Sequence, residues 1–204
     1  MTLKSPQEIA IMRQAGAITR GALEAAKAAV RPGVTTLAID RIVEDYIRAA
    51  GAVPSFKGFG GFPGSACVSV NEQVVHGIPG DRVLKEGDIV SIDVGVIYRG
   101  FHGDAARTYP VGRISADAQR LIEVTRQCFF EGIRFAKVGY RLGDLGAAIQ
   151  SYAESHGFSV VRELIGHGVG RNLHEPPDVP NYGVPGRGLR FQKGMTLAVE
   201  PMIN

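Results

Sequence analysis

The chain has 204 residues, 45% apolar and 21% charged, with no tryptophan and a net charge of +3. That length can bury a substantial core, and the absence of any run of five or six like charges argues against a nucleic-acid partner. The opening MTLKSPQEIAIMRQAG lacks a leader pattern and no apolar run reaches membrane-spanning length, so a cytoplasmic protein without membrane contact is expected, with Cys67 and Cys128 as reduced thiols.

In chain order, Ser5-Pro6-Gln7-Glu8 forms a capping box with proline at the first helical position, predicting a helix that runs to about Val30 and stops at Pro32-Gly33. A second helix carries Leu37, Ile39, Ile42, Val43, Tyr46 and Ile47 on one face and ends at Gly51. Residues 53–64 read as a Phe/Gly/Pro loop, followed by strands at 66–70, 89–94 and 101–111. Helices are predicted at 117–137 and 143–155, and strands at 159–165 and 196–199.

The pattern repeats. At a spacing of 106 residues Thr19-Arg20 meets Thr125-Arg126, Gly33 meets Gly139, Tyr46 meets Tyr152 and Gly51 meets Gly157. Ile39 and Val43 likewise meet Leu145 and Ile149, and Gly77-Ile78-Pro79-Gly80 meets Gly183-Val184-Pro185-Gly186. One residue further apart, Gly87 meets Gly194 and Asp93 meets Glu200. A duplication over about 15–112 and 121–204 is expected. It gives a single α+β domain with pseudo-two-fold symmetry, its antiparallel sheet covered by helices. The second copy stops at Asn204, before an equivalent of the return strand that carries Asp104, so a truncated chain is expected.

The segment IDVGVIYRGFHGD (92–104) reads as a hairpin. A turn centred between Tyr98 and Arg99 sets Asp93 opposite Asp104, at roughly 5 Å between Cβ atoms, where like charges repel unless a cation lies between them. Glu200 closes a second apolar strand, and the duplication brings it to Asp93. His167 stands between Gly166 and Gly168, which leave room for its ring. A phosphate loop needs a helix to start next, and Asn172-Leu173-His174-Glu175-Pro176-Pro177 cannot open one. Three carboxylates and one imidazole suit Co, Mn, Fe or Zn with open coordination positions, and that much negative charge suggests two ions. His76 and His174 are further candidate imidazoles, while His102 and His156 read as structural, His102 also being a minor candidate for supporting a ligand because it alternates onto the Asp104 face.

The stretches SVNEQVVHGIP (69–79), DVGVIYRGFHGD (93–104), GHGVGRNLHEPP (166–177) and AVEPM (198–202) resemble the type I methionine aminopeptidases, metallopeptidases of the creatinase-like pita-bread fold. The resemblance runs from about Ser5 to Asn204. It implies two divalent metal ions held by Asp93, Asp104, His167 and Glu200. A fifth, bridging glutamate belongs to the family's last strand and is not in this sequence, so weak or single-metal occupancy is expected of the 204-residue chain. The implied reaction removes the initiator methionine from nascent proteins, a bridging hydroxide attacking the first peptide carbonyl. Glu200 would be ligand and proton shuttle, His174 would contact the developing oxyanion, and His76 the scissile amide. Phe59, Phe62, Cys67 and His76 would line the methionine pocket. The family commonly has tyrosines at positions 59 and 62 and a phenylalanine at 173, where this chain has Phe59, Phe62 and Leu173.

The implied substrate is a nascent chain with a small second residue, met by a cytoplasmic monomer, and the mild positive charge is compatible with action at the ribosome. Two other readings compete: an X-Pro-type peptidase of the same fold, and an inactive or binding-only fragment. The first usually carries an extra preceding domain. The survival of four ligands argues against a decayed binding module and for a chain cut short, with activity weak in the 204-residue chain and restored in a longer one.

Overall fold

The computed structural model describes residues 2–204. Its elements run α1 (Pro6–Ala29), α2 (Thr36–Ala49), β1 (Val53–Pro54), a 3-10 turn (Phe59–Gly61), β2 (Ala66–Val70), β3 (Ile89–Tyr98) and β4 (Phe101–Pro110). They continue with α3 (Ala116–Ile133), α4 (Leu142–Ser155), β5 (Gly166–Gly168), β6 (Glu175–Val179) and β7 (Leu197–Ala198). The chain divides into two compact units. The leading unit holds Gln7–Ala118 and Gly170–Leu173, and the trailing unit holds the residues up to Pro6, Gln119–Val169 and His174–Asn204.

In the leading unit β3 is the central strand of an antiparallel sheet, paired with β1, β2 and β4. Strand alternation sorts its side chains cleanly. Val90, Ile92, Val94 and Val96 face a core shared with Ala22, Leu23 and Ala26 of α1 and Ile39, Val43 and Ile47 of α2. The opposite face carries Ser91, Asp93 and Gly95. Thr35 caps α2, its side chain accepting from Ala38 N. The sheet meets α1 closely because Gly103 has no side chain: a Cβ there would lie 2.8 Å from the backbone of Ala15 and Gly16.

The hairpin register differs from the expected one. Tyr98 pairs with Phe101, so the turn is Arg99-Gly100, and Asp104 pairs with Gly95 while Asp93 pairs with Ala106. Both turn residues have positive φ, 49° for Arg99 and 78° for Gly100, the combination that matches strand twist in a two-residue hairpin. A turn one residue earlier would have forced Tyr98 into that region. The two aspartates are therefore diagonal neighbours on one face, about 7–8 Å apart at the backbone, rather than directly opposed.

In the trailing unit β5 lies between β6 and β7 in a three-stranded antiparallel sheet. Leu145, Ile149 and Ala153 of α4, Val124 and Cys128 of α3, Val160, Val179 and Phe191 form its core. The strand expected at 159–165 is not formed. Ser159 and Val161 bond only to Asn204 and Met202, and the amide of Arg162 is taken by the Glu163 carboxylate at 3.2 Å. The strand expected at 196–199 is confined to Leu197–Ala198, and α3 ends four residues earlier than expected, at Ile133.

The local architecture recurs along the chain. α2 and α4 each have 14 residues, with ends 106 positions apart. Ahead of α2, Leu84 N bonds Val34 O, Thr36 N bonds Arg82 O and Leu37 N bonds Gly80 O. Ahead of α4, Phe191 N bonds Tyr140 O, Leu142 N bonds Leu189 O and Gly143 N bonds Arg187 O, each pair shifted by 106 or 107 positions.

Candidate functional site

On the face of the leading sheet turned away from α1 and α2, Cys67, Asp93 and Ala106 form one cross-strand row, with Gly95 and Asp104 in the next. Gly95 makes this face habitable. A Cβ there would lie 2.5 Å from the Phe56 ring and 2.7 Å from Ser55 Cβ, so the ring of Phe56 lies over the glycine. Ser55 N bonds Gly95 O at 2.9 Å, and Ser55 Oγ meets His102 Nδ1 at 2.9 Å, which fixes the segment carrying Phe56. Phe56, Cys67 and Leu173 form a small buried cluster with Phe62 packed against it. Two half-buried carboxylates thus stand beside an apolar cluster.

Asp40 positions the start of β2. Its buried Oδ1 accepts from Ser65 N at 2.7 Å and Ala66 N at 2.8 Å. Burial raises its pKa, and those two amides hold the rise in check. The Cys67 thiol is pushed up to about 12, first by burial and then by the charges of Asp93, Asp104 and Asp40. It is therefore a neutral, apolar wall rather than a thiolate ligand or nucleophile.

In the trailing unit, Gly166 and Gly168 are obligatory by contact. A Cβ on Gly166 would lie 2.3 Å from Ala198 O, and one on Gly168 would lie 2.6 Å from both Glu175 O and Pro176 O. His167 thus sits on a strand squeezed between two neighbours, and its direction is fixed. Its Nδ1 lies 2.8 Å from Gly168 O. A carbonyl only accepts, so Nδ1 carries a proton, and Nε2 is the ring atom turned toward Glu200. Glu200 Oε1 lies 3.2 Å from that Nε2, yet this oxygen is buried and accepts no hydrogen bond. An imidazole nitrogen and a buried carboxylate oxygen this close are a donor pair of the kind that holds a divalent ion, so these residues fit one.

His174, an exposed residue just before β6, sets its ring edge-on to His167, with centroids 4.2 Å apart and planes at 78°. Glu200 lies two residues beyond β7, and its backbone carbonyl is held by Asn181 Nδ2 at 2.7 Å. His76 is exposed with φ of 59°, a left-handed conformation held by its neighbour Gly77. Gly77 N bonds Ser69 Oγ and Gly77 O bonds Val68 N, both at 2.9 Å. Phe59 lies in the 3-10 turn, 51% exposed and outside the apolar cluster, whereas Phe62 and Cys67 belong to it.

Sequence reasoning missed Phe56, Asn181 and the pairing of Lys4 with Glu175. The regular spacing of Phe56, Phe59 and Phe62 could have drawn attention to the first. Only the third dimension shows the other two.

Residues 10–204 match metallopeptidase family M24. Methionine aminopeptidase 1 of Bacillus subtilis is 54% identical over 201 residues, which cover 98% of this chain and 81% of that protein. The crystal structure of methionine aminopeptidase from Rickettsia prowazekii superposes with a TM-score of 0.98 at 44% identity, covering all of this chain and 82% of that one. The prolidase of Pyrococcus furiosus gives a TM-score of 0.85 at 24% identity over 98% of this chain and 57% of its own, a likeness of fold alone. The shared fold is the α+β pita-bread architecture.

Proposed function

We propose that this chain, which belongs to metallopeptidase family M24, is a metal-dependent aminopeptidase that removes the initiator methionine from nascent polypeptides. One observation carries the choice of substrate: the apolar cluster of Phe56, Phe62, Cys67 and Leu173 lies on the same sheet face as Asp93 and Asp104. A methionine side chain packed against it gains about 0.8 kcal/mol per buried methylene, and the neutral Cys67 thiol adds a polarizable contact. We place two divalent ions of the Mn, Fe, Co or Zn type on Asp93, Asp104, His167 and Glu200. When bound, such ions supply Lewis acidity toward a peptide carbonyl and toward water.

The remaining work falls to side chains. Glu200 takes a proton from the attacking water and returns it to the departing amine. His174, a ring N–H donor beside His167, stabilises negative charge as it develops on the carbonyl oxygen. His76, held in its left-handed turn, orients the scissile amide, and Phe59 borders the methionine pocket. The natural substrates on this reading are nascent chains with a small second residue, met by a cytoplasmic monomer near the ribosome. Among the described residues no helix is long and apolar enough to cross a membrane.

The test is release of methionine from Met-Gly-Met by metal-supplemented protein, compared with Leu-Gly-Met and an X-Pro dipeptide. Preference for the methionyl peptide supports the reading, and faster cleavage of the X-Pro substrate refutes it.

A further inference from the structure

A buried ion pair lies immediately beside the candidate oxyanion donor. Lys4 Nζ meets Glu175 Oε2 at 2.5 Å, with the two side chains only 4% and 10% exposed, and Nζ also donates to Thr2 O at 3.1 Å. Glu175 follows His174 directly and opens β6 opposite Gly168, the neighbour of His167. The backbone of Lys4 is anchored too: its N–H bonds Gly194 O at 2.8 Å. A Cβ on Gly194, whose φ is +94°, would lie 2.8 Å from Lys4 O. Lys4 therefore grips two segments, the start of β6 through its side chain and the turn before β7 through its backbone.

A buried lysine–glutamate pair is a poor device for stability alone, because apolar residues of the same volume serve as well or better. Such a pair does impose geometry, since its short charge-assisted bond tolerates little displacement. Ladder bonds already fix the backbone of Glu175. Anchoring its side chain as well removes the freedom of the peptide joining it to His174.

We propose that Lys4 is a positioning residue for His174, its buried pair with Glu175 holding the His174 ring against His167 in the orientation catalysis requires. The inference rests on the reading of His174 as the oxyanion donor, and its effect is on the chemical step rather than on substrate binding.

The decisive variant is the double substitution Lys4→Met with Glu175→Leu, which replaces both charges by apolar volume and keeps the fold where either single change would strand a buried charge. In metal-loaded protein acting on Met-Gly-Met, kcat should fall roughly 10- to 100-fold, with KM within about twofold of the parent. Lys4→Arg, which can still pair with Glu175, should recover part of the loss. A second readout needs no activity. The imidazole nitrogen resonances of His174 in the metal-free protein should shift in the double variant and stay in place in the surface control Glu44→Gln. Unmoved His174 resonances, or a parental kcat in the folded double variant, would overturn the proposal. Should the parent protein release no methionine, the proposed function fails, and the His174 resonances still decide whether Lys4 positions the ring.

Discussion

Glu200 and His167 face one another in the trailing unit, a buried carboxylate oxygen that meets no hydrogen-bond donor lying 3.2 Å from an imidazole nitrogen. Glu200→Gln sets there an amide whose N–H can donate to Nε2 where the ring is neutral. The metal-free variant should therefore gain about 1 kcal/mol in chemical denaturation. On the proposed ligation, its Co²⁺ affinity by calorimetry should fall by roughly 10- to 100-fold, because a carboxylate charge is gone. A variant that lost stability as well would show the oxygen to be satisfied in the metal-free protein. In the sequence, Glu200 and His167 were both legible as candidates, one as an acid closing an apolar run and the other from its flanking glycines. The approach of the Glu200 oxygen to the ring was not, because it depends on how β5 and β7 pair.

At the scale of elements, glycines decide which strands can meet. Gly166→Ala sets a Cβ 2.3 Å from Ala198 O, a backbone atom with little room to move. The change should cost about 1–3 kcal/mol and part β5 from β7, the strands that carry or lead to His167 and Glu200. A thermal melt alongside a metal titration should show both losses together. Arg99→Asn works in the opposite direction. Arg99 occupies the left-handed region with φ of 49°, where asparagine is preferred, and an Asn-Gly turn should stabilise the hairpin by up to about 1 kcal/mol.

The same physics explains what was legible. α2 and α4 could be read almost to the residue because their apolar periodicity and flanking glycines agree with their packing. β5 and β6 could not, since Gly-His-Gly and Glu-Pro-Pro-Asp-Val are poor strand formers ordered by their neighbours. Residues 159–165 failed in the other direction, being apolar enough for a strand but paired only over 159–161.

Across the whole molecule, two buried or paired acids in the leading unit give pH dependences of opposite sign. Lys57 first, then Arg48, hold Glu44 down to about 2 from its ordinary 4.5. Its contribution is thus present above 4.5 and lost as pH falls through about 2. Both basic partners are about half exposed, so the pair contributes at most about 1 kcal/mol after solvent screening. Glu44→Gln should therefore differ slightly from the parent at pH 7 and converge with it near pH 2. Asp40, raised by burial, acts in reverse: it favours folding most below its ordinary value of 3.8 and loses that advantage as pH rises through its elevated folded value. Asp40→Asn, whose carbonyl can still accept from Ser65 and Ala66, should equal or exceed the parent in stability at pH 7.

Metal binding links the site to the fold as a whole. An ion that binds only the folded state stabilises it by about 2.7 kcal/mol at one hundred times its dissociation constant. The most direct measurement is a Co²⁺ titration that follows melting temperature and methionine release from Met-Gly-Met in the same samples, with Asp104→Asn in parallel. Both should rise together in the parent, fall away on chelation, and stay flat in Asp104→Asn. Methionine release that persists in chelator, or an Asp104→Asn protein that responds to Co²⁺ as the parent does, would contradict that expectation.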